Sequence, residues 1–369
     1  MEKEFPWGTE EACFAVGSGV GFQVSGFRGQ VFPEPDTRNL APGTCPGGCH
    51  YERERSDCQS SRKTATISYR MSEPRFPPVS AEPYVTGPAP LSCPRQTRRG
   101  EQSLTAVVFD LDGVVYRGRT ALPGARKTIS WLRQRGLKVF FLTNNSTLTR
   151  AEYIHRLGRF GIPCKMEMIY SSAYACALYL QENGGRHPCA LVVGEGGLAG
   201  ELRRAGIEVV RKLTRKKVDY VVVGMDRKIN YRKLADAQSA IFRGARFIAS
   251  NRDPVYPVEK GLIPGGGTIV AAIQTASQKK PLVIGKPSPY ILKVLLRKEK
   301  LDPKRVLLLG DRLDTDVASG RRAGVLTAIA LTGVTSREEI ARAPARLRPH
   351  WVIQSIADLP GLITKGGAS

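Results

Sequence analysis

Residues 106–116 read AVVFDLDGVVY, and they are the most informative part of the chain about its architecture. Its apolar first half predicts a buried strand that ends at Asp110. Asp112 follows after one intervening residue, and Gly113 comes next. A carboxylate at the tip of a buried strand costs free energy unless a cation meets it. The stretch therefore predicts a core strand whose acidic pair has a cationic partner elsewhere in the chain.

Three further apolar runs end in polar residues. Residues 141–146 read FLTNNS, residues 282–288 read LVIGKPS and residues 306–316 read VLLLGDRLDTD. Taken singly, these ends are typical of a helix N-cap, a surface lysine and a capping turn. Taken together, two carboxylates, a hydroxyl, a lysine and a second acidic pair are the groups that phosphoryl transfer through a side-chain oxygen requires. The set favours an enzyme acting on phosphate esters.

From residue 104 onward, the chain has the alternating strand and helix pattern of an α/β protein. Short β-branched runs alternate with amphipathic helical stretches, which predicts a parallel sheet covered by helices on both faces. In such sheets, ligands bind beyond the carboxyl ends of the strands. The four polar strand ends are therefore expected to meet at one edge.

These motifs resemble those of the haloacid dehalogenase superfamily, class IIA, which includes nitrophenyl phosphate, pyridoxal phosphate, phosphoglycolate and nucleotide monophosphate phosphatases. The resemblance covers about residues 104–345. It implies a doubly wound parallel-sheet core formed by residues 104–171 and 279–369. An α/β cap domain, residues 172–278, is inserted between the two parts and covers the site. Residues 251–254 and 264–268 of the cap resemble the family's loops near the active site.

The resemblance also implies a role for each catalytic residue. Asp110 is the nucleophile that forms an aspartyl-phosphate, and Asp112 is the general acid and base. Thr143 and the backbone of Asn144 hold a phosphoryl oxygen, and Lys286 neutralises charge on the phosphoryl group and on Asp110. The implied reaction is hydrolysis of a small phosphorylated metabolite, with the substrate open among sugar phosphates, phosphoglycolate, pyridoxal phosphate and nucleotides.

Mg²⁺ is the cofactor that the resemblance implies. Its ligands are the carboxylates of Asp110 and Asp311 and the backbone carbonyl of Asp112, while Asp316 acts partly through water. An all-oxygen ligand set favours this hard cation. Asp314 receives no role, because the family varies at its position. Homodimers formed through the cap are common in this branch.

The composition of the chain predicts its cellular compartment and limits the kinds of partner that it can bind. Residues 1–103 contain 12 of the 25 prolines and no sustained periodicity, which predicts a largely disordered extension. All of the net charge of +23 lies in residues 104–369, where the basic residues either form a solvated face or attract phosphate esters, nucleic acid or an acidic membrane surface. The absence of a signal-peptide pattern, of a long apolar run and of any C-x-x-C pair predicts a cytoplasmic protein without a membrane span.

Two other functions compete with the phosphatase. Gly194-x-Gly196-x-x-Ala199 fits the dinucleotide fingerprint after a strand, and Arg211 is a candidate partner for a 2′-phosphate, which would indicate an NAD(P)-dependent oxidoreductase. However, no acidic residue closes the strand at residues 207–210. The basic surface would suit a nucleic-acid-binding protein, but aromatic residues are only 7% of the chain and do not alternate with lysine and arginine.

Overall fold

A computed structural model describes residues 103–258 and 261–366 of the chain. The predicted N-terminal extension, residues 1–103, lies outside the described residues except for Ser103. Within the described part, no helix combines the length and the apolar character needed to cross a bilayer.

The described residues alternate between strands and helices, as the sequence predicts. The strands, numbered along the chain, are β1 Ala106–Asp110, β2 Tyr116–Arg117, β3 Thr120–Ala121, β4 Lys138–Thr143, β5 Ile169–Ser171, β6 Cys189–Val193, β7 Glu208–Val210, β8 Tyr220–Val223, β9 Arg246–Ala249, β10 Val255–Val258, β11 Gly261–Pro264, β12 Leu282–Val283, β13 Val306–Gly310, β14 Leu326–Ala330 and β15 Trp351–Ile353.

The helices lie between these strands and after the last of them. They are α1 Ala125–Gln134, α2 Arg150–Arg159, α3 Ser172–Asn183, α4 Gly196–Arg204, α5 Tyr231–Phe242, α6 Gly266–Ser277, α7 Tyr290–Glu299, α8 Ala318–Ala323, α9 Arg337–Arg342 and α10 Leu359–Gly366. A π-helical turn, Leu313–Val317, precedes α8.

The first sheet has six parallel strands in the order β15-β14-β13-β1-β4-β5. Every residue of β1 is buried. Val107 and Phe109 pack into one apolar cluster, whereas Ala106 and Val108 pack into another on the opposite face. A strand buried on both faces needs the continuous apolar run that the sequence shows at this position. The predicted doubly covered α/β core is therefore confirmed.

The second sheet has five parallel strands in the order β12-β9-β8-β6-β7. Buried side chains of α3, α7 and both sheets belong to one apolar cluster, so these elements share a core. The strand β12 is hydrogen-bonded to β9 of the second sheet. The second sheet thus includes β12, which lies past residue 278 in the chain, and the predicted domain boundaries stay a prediction.

Two hairpins complete the fold. One is formed by β2 and β3 and the other by β10 and β11. The helix α2 begins at Thr149, whose hydroxyl accepts a hydrogen bond from the backbone N–H of Glu152, while the Glu152 carboxylate accepts one from the backbone N–H of Thr149. This reciprocal cap fixes the start of α2 directly after the loop that follows β4.

Candidate active site

All of the predicted site residues line one cleft at the carboxyl ends of the first sheet. The residues are Asp110, Asp112, Thr143, Asn144, Lys286, Asp311 and Asp316. Asp110 ends β1, Thr143 ends β4 and Asp311 directly follows β13, and these strands are neighbours in the sheet. The convergence follows from parallel pairing, which brings the carboxyl ends of adjacent strands to one edge.

Lys286 is the cation that the acidic strand end requires. Its Nζ donates to Oδ1 of Asp110 at 2.6 Å and to Oδ1 of Asp316 at 2.6 Å. The exposed fractions of Lys286, Asp110 and Asp316 are 2%, 7% and 1%. Burial lowers the pKa of Lys286, but the two carboxylates outweigh burial and raise it, so the ammonium form is strongly favoured.

Asp316 and Asp311 are held by backbone N–H groups. Oδ2 of Asp316 accepts from the N–H groups of Asp311 at 3.3 Å and Arg312 at 3.1 Å. Oδ2 of Asp311 accepts from the N–H of Val334 at 3.0 Å. A Cβ atom on Gly113, whose φ is +86°, would lie 2.7 Å from that same Asp311 oxygen. Glycine is therefore required beside the acidic pair for both conformational and steric reasons.

The acidic residues outnumber the cations that neutralise them. Ligand atoms of Asp110, Asp311 and Asp316 all lie within 4.8 Å of one another, and the ammonium of Lys286 pairs with two of these residues, Asp110 and Asp316. Burial, and then the charge of Asp316, raise the pKa of Asp311 to about 7. Burial also raises the pKa of Asp110, and Lys286 opposes that rise. An excess of buried oxygen anions at this spacing fits a hard divalent cation.

Asp112 has surroundings different from those of Asp110. The hydroxyl of Tyr116 donates to Oδ2 of Asp112 at 3.4 Å, and the guanidinium of Arg156 lies 4.5 Å from the centre of the Tyr116 ring. Burial raises the pKa of Asp112 to about 6, and the charge of Arg156 opposes that rise. The carboxyl group is thus able to change protonation state near neutral pH, as a general acid and base must.

The loop after β4 supplies Thr143 and Asn144. The hydroxyl of Thr143 accepts from the N–H of Asn145 at 3.1 Å, as in a helix cap. The side-chain amide of Asn144 donates to the carbonyl of Lys286 at 2.9 Å and to the carboxylate of Asp253 at 3.0 Å. The Asn144 side chain therefore joins the loop to two other segments, which leaves its backbone as the part predicted to hold phosphate.

Four residues that contact the site received no role from the sequence: Tyr116, Arg156, Asp253 and Tyr256. Asp253 lies in a loop that the sequence indicates as near the site, and Tyr256 accepts a hydrogen bond from Asn145 at 3.1 Å. Tyr116, in β2, donates to Asp112, and Arg156, in α2, lies over the ring of Tyr116. Tyr116 ends the stretch quoted for residues 106–116, but nothing in that stretch gives it a role, because these contacts depend on how the hairpin and the helix pack.

The candidate dinucleotide fingerprint packs against the loop after β4. It lies at the junction of β6 and α4, as such a fingerprint would. The N–H of Gly197, however, donates to the carbonyl of Thr147 at 3.1 Å, and a Cβ atom there would lie 2.4 Å from the backbone of Leu148. Protein backbone thus occupies the place that a pyrophosphate would need, and the small residues serve close packing instead.

Comparisons with known proteins agree with this geometry. Residues 107–208 match the family model described as haloacid dehalogenase-like hydrolase, and residues 283–359 match a second model described as HAD-hydrolase-like. Chronophin of Rattus norvegicus is 37% identical over 265 residues, which are 69% of this chain and 86% of the relative. Glycerol-3-phosphate phosphatase of Gallus gallus is 35% identical over 284 residues, which are 70% of this chain and 91% of the relative.

Solved structures give the same result. The p-nitrophenyl phosphatase from Archaeoglobus fulgidus matches with a TM-score of 0.66 and 35% identity, over 71% of this chain and 100% of that chain. Glycerol phosphate phosphatase from Mycobacterium tuberculosis in complex with magnesium matches with a TM-score of 0.66 and 33% identity, over 70% and 77% of the two chains. With this fold and these relatives, the chain belongs to the haloacid dehalogenase-like hydrolases of class IIA, as one of their phosphatases.

Proposed function

We propose that this protein hydrolyses small phosphomonoesters in a magnesium-dependent reaction that passes through an aspartyl-phosphate on Asp110. The observation that carries the proposal is the buried contact of Lys286 with both Asp110 and Asp316 in the cleft that also contains Asp112 and Thr143. Relatives named glycerol-3-phosphate phosphatase and acid sugar phosphatase support small polyol or sugar phosphates as substrates.

The first half of the proposed reaction uses both aspartates. An oxygen of Asp110 forms a bond to phosphorus while the bond from phosphorus to the ester oxygen breaks. Asp112 gives its proton to that oxygen, so the leaving group departs as an alcohol. Lys286 offsets negative charge on Asp110 and on the phosphoryl oxygens. The hydroxyl of Thr143 donates a hydrogen bond to one phosphoryl oxygen.

The second half releases phosphate. Asp112, now ionised, takes a proton from a water molecule that attacks the phosphorus. The bond between Asp110 and phosphorus breaks, inorganic phosphate leaves and both carboxyl groups return to their starting states. The same residue acts as acid and then as base, which requires a pKa near the working pH, and the value of about 6 for Asp112 supports this role.

Asp110, Asp311, Asp316 and the backbone carbonyl of Asp112 would hold the magnesium ion. Their oxygen donors and their excess negative charge support this assignment. When bound, the ion supplies positive charge that favours the ionised nucleophile and the phosphoryl group beside it. We further propose that residues 172–278, together with the adjoining strand β12, form the cap that excludes water from the reaction. The cytoplasmic location and the homodimer formed through the cap remain predictions.

Turnover of 4-nitrophenyl phosphate tests the proposal. The purified protein is expected to release nitrophenolate when Mg²⁺ is present and not when it is chelated. Asp110→Asn is expected to reduce kcat by at least roughly 10⁴-fold, because the amide keeps the shape but is a poor nucleophile. A phosphorylated Asp110 trapped in the wild type, and absent from the variant, would identify the intermediate. Ordinary turnover by Asp110→Asn would refute the assigned role.

A further inference from the structure

A second cleft lies beside the active site and is strongly basic. We call it the basic cleft, and its charged lining residues are Arg119, Glu152, Arg156, Arg159 and Arg227. Tyr256 lines both the basic cleft and the active-site cleft, so the two are adjacent. The lining comes from the β2–β3 hairpin, from α2 and from residues near the second sheet. None of its arginines has a role in the proposed reaction.

The positive charge of the basic cleft is not matched by its own acidic residue. The Glu152 carboxylate is already engaged with the N–H and hydroxyl of Thr149, at 2.7 Å each. Arg227 is paired with Glu195, at 2.6 Å. Arg119 and Arg159 are exposed, and within residues 103–258 and 261–366 neither forms an ion pair. Two guanidinium groups therefore face the cleft without a carboxylate.

The general acid of the proposed reaction lies close to this cleft. The general acid must face the leaving oxygen, and Tyr116 donates a hydrogen bond to Asp112. Arg156, which lines the basic cleft, lies over the ring of Tyr116 and donates to the carbonyl of Gly118 at 2.7 Å, which holds its guanidinium beside the residue that contacts Asp112. In the binding mode inferred here, a substrate with phosphorus at Asp110 and its ester oxygen at Asp112 extends past Tyr256, which lines both clefts, toward the arginines of the basic cleft.

We propose that the basic cleft binds a second anionic group on the leaving-group part of the substrate, so that the preferred substrates are phosphomonoesters carrying a further phosphate or carboxylate. This inference rests on the proposed function. Guanidinium groups suit the role because their planar N–H pairs match the oxygens of phosphate and carboxylate. Several arginines around one partly enclosed space also concentrate anions there before they bind.

Phosphate release from matched synthetic esters tests the inference. The probes are short alkanediol bisphosphates, ω-phosphooxy carboxylates and alkyl monophosphates of the same chain length. The wild type is expected to show kcat/KM at least about tenfold higher for a probe with a second anion than for the matched alkyl monophosphate. The better of the two anionic probes identifies the preferred group. An equal kcat/KM for all three probes would overturn the inference.

A double variant, Arg119→Gln/Arg159→Gln, asks whether the cleft causes the preference. It is expected to bring the ratio of kcat/KM values down toward one, and added salt is expected to lower the wild-type ratio as well. The control Arg342→Gln/Arg346→Gln removes the same charge from exposed positions outside both clefts and is expected to keep the ratio. A preference that survives in the first double variant would also overturn the inference.

The two proposals fail in different ways. Turnover of 4-nitrophenyl phosphate and its loss in Asp110→Asn report on the phosphatase site alone. A wild type that hydrolyses 4-nitrophenyl phosphate but does not distinguish the matched probes would leave the phosphatase proposal standing and remove only the anion subsite.

Discussion

The two parallel sheets have the same construction, but their strands end in different chemistry. In the first sheet, β1, β4 and β13 lead into Asp110, Thr143 and Asp311. In the second sheet, β6 and β8 lead into Gly194 and Gly224. Carboxylates at strand ends concentrate negative charge, whereas glycines allow atoms of another segment to approach closely. A Cβ atom on Gly224 would lie 2.6 Å from Oγ of Ser146, in the loop after β4.

Lys286 is the exception to this division. It follows β12, a strand of the second sheet, yet its ammonium binds carboxylates that follow strands of the first sheet. The charge balance of the site therefore depends on both sheets. Substitutions in the two sheets are expected to differ in kind and in size.

Lys286→Ala should have the largest effect of these changes. It removes the ammonium from two buried carboxylates, and we expect kcat for 4-nitrophenyl phosphate to fall by about 10³-fold. The free energy of unfolding should fall by roughly 3–5 kcal/mol, because the carboxylates lose their buried counter-ion. Steady-state kinetics and urea denaturation measure the two effects. Lys293→Ala, an exposed lysine of α7, is the control, and equal behaviour of the two variants would contradict the role of Lys286.

The acidic loop after β13 offers a matched pair of substitutions. Asp316→Asn is expected to weaken Mg²⁺ binding by roughly 10- to 100-fold, because it removes a buried carboxylate of the cluster. Asp314→Asn should leave Mg²⁺ affinity near that of the wild type, since the Asp314 side chain is 64% exposed and pairs with Arg312. The rise in Tm with added Mg²⁺ measures the affinity. A similar loss in both variants would show that the loop, not the buried carboxylate, matters.

The pH dependence of kcat/KM should differ between substrates. Asp112, with a pKa of about 6, is protonated below that pH and can then protonate an alkoxide leaving group. For an alkyl phosphate, kcat/KM is expected to fall by about tenfold for each pH unit well above 6. Nitrophenolate leaves without a proton, so 4-nitrophenyl phosphate should show a weaker decline. Identical profiles for both substrates would argue against Asp112 as the acid.

The raised pKa of Asp112 also makes the free energy of unfolding depend on pH. Because burial raises the pKa of Asp112 above its unfolded value, protonation stabilises the folded state. This contribution is complete below the unfolded pKa and is lost as pH rises through about 6.

The glycine-rich start of α4 gives the smallest predicted effect. Gly197→Ala should lower the free energy of unfolding by roughly 1–3 kcal/mol, because its Cβ would meet the backbone of Leu148 at 2.4 Å. Among the described residues, no atom outside its chain neighbours and its own helix backbone lies within 4 Å of a Cβ on Gly196, so Gly196→Ala should change stability by less than about 1 kcal/mol. Denaturant unfolding of both variants compares them. Equal destabilisation would show that the fit against Leu148 is not the reason for glycine.

The sequence was sufficient for the residues that end the strands of the first sheet. Asp110, Thr143 and Asp311 each follow a continuous apolar run, and parallel pairing alone brings such ends together. Lys286 was also indicated by its place after a strand. The sheet to which that strand belongs was not predictable, because β12 has only two paired residues and its partner is set by tertiary packing.

The surroundings of Asp112 lay beyond sequence analysis for a related reason. Tyr116 and Arg156 contribute through a hairpin and a helix that are separate in sequence and meet only in the folded protein. The dinucleotide fingerprint misleads in the opposite way. Its strand, glycines and helix are all present in the local sequence, although the fold uses the glycines for close packing. Only the position of the Thr147 and Leu148 backbone shows what these glycines accommodate.

The short strand β12 has a consequence for the position of Lys286. Ile284 and Gly285 alone separate its last residue from Lys286, and the N–H of Gly285 is bonded to the carbonyl of Ser250, beyond the end of β9. This two-residue connection allows Lys286 little movement independent of β12. Any displacement of the second sheet relative to the first would therefore also change the distance between the ammonium of Lys286 and the carboxylate of Asp110, so the electrostatics of the nucleophile depend on how the two sheets are placed.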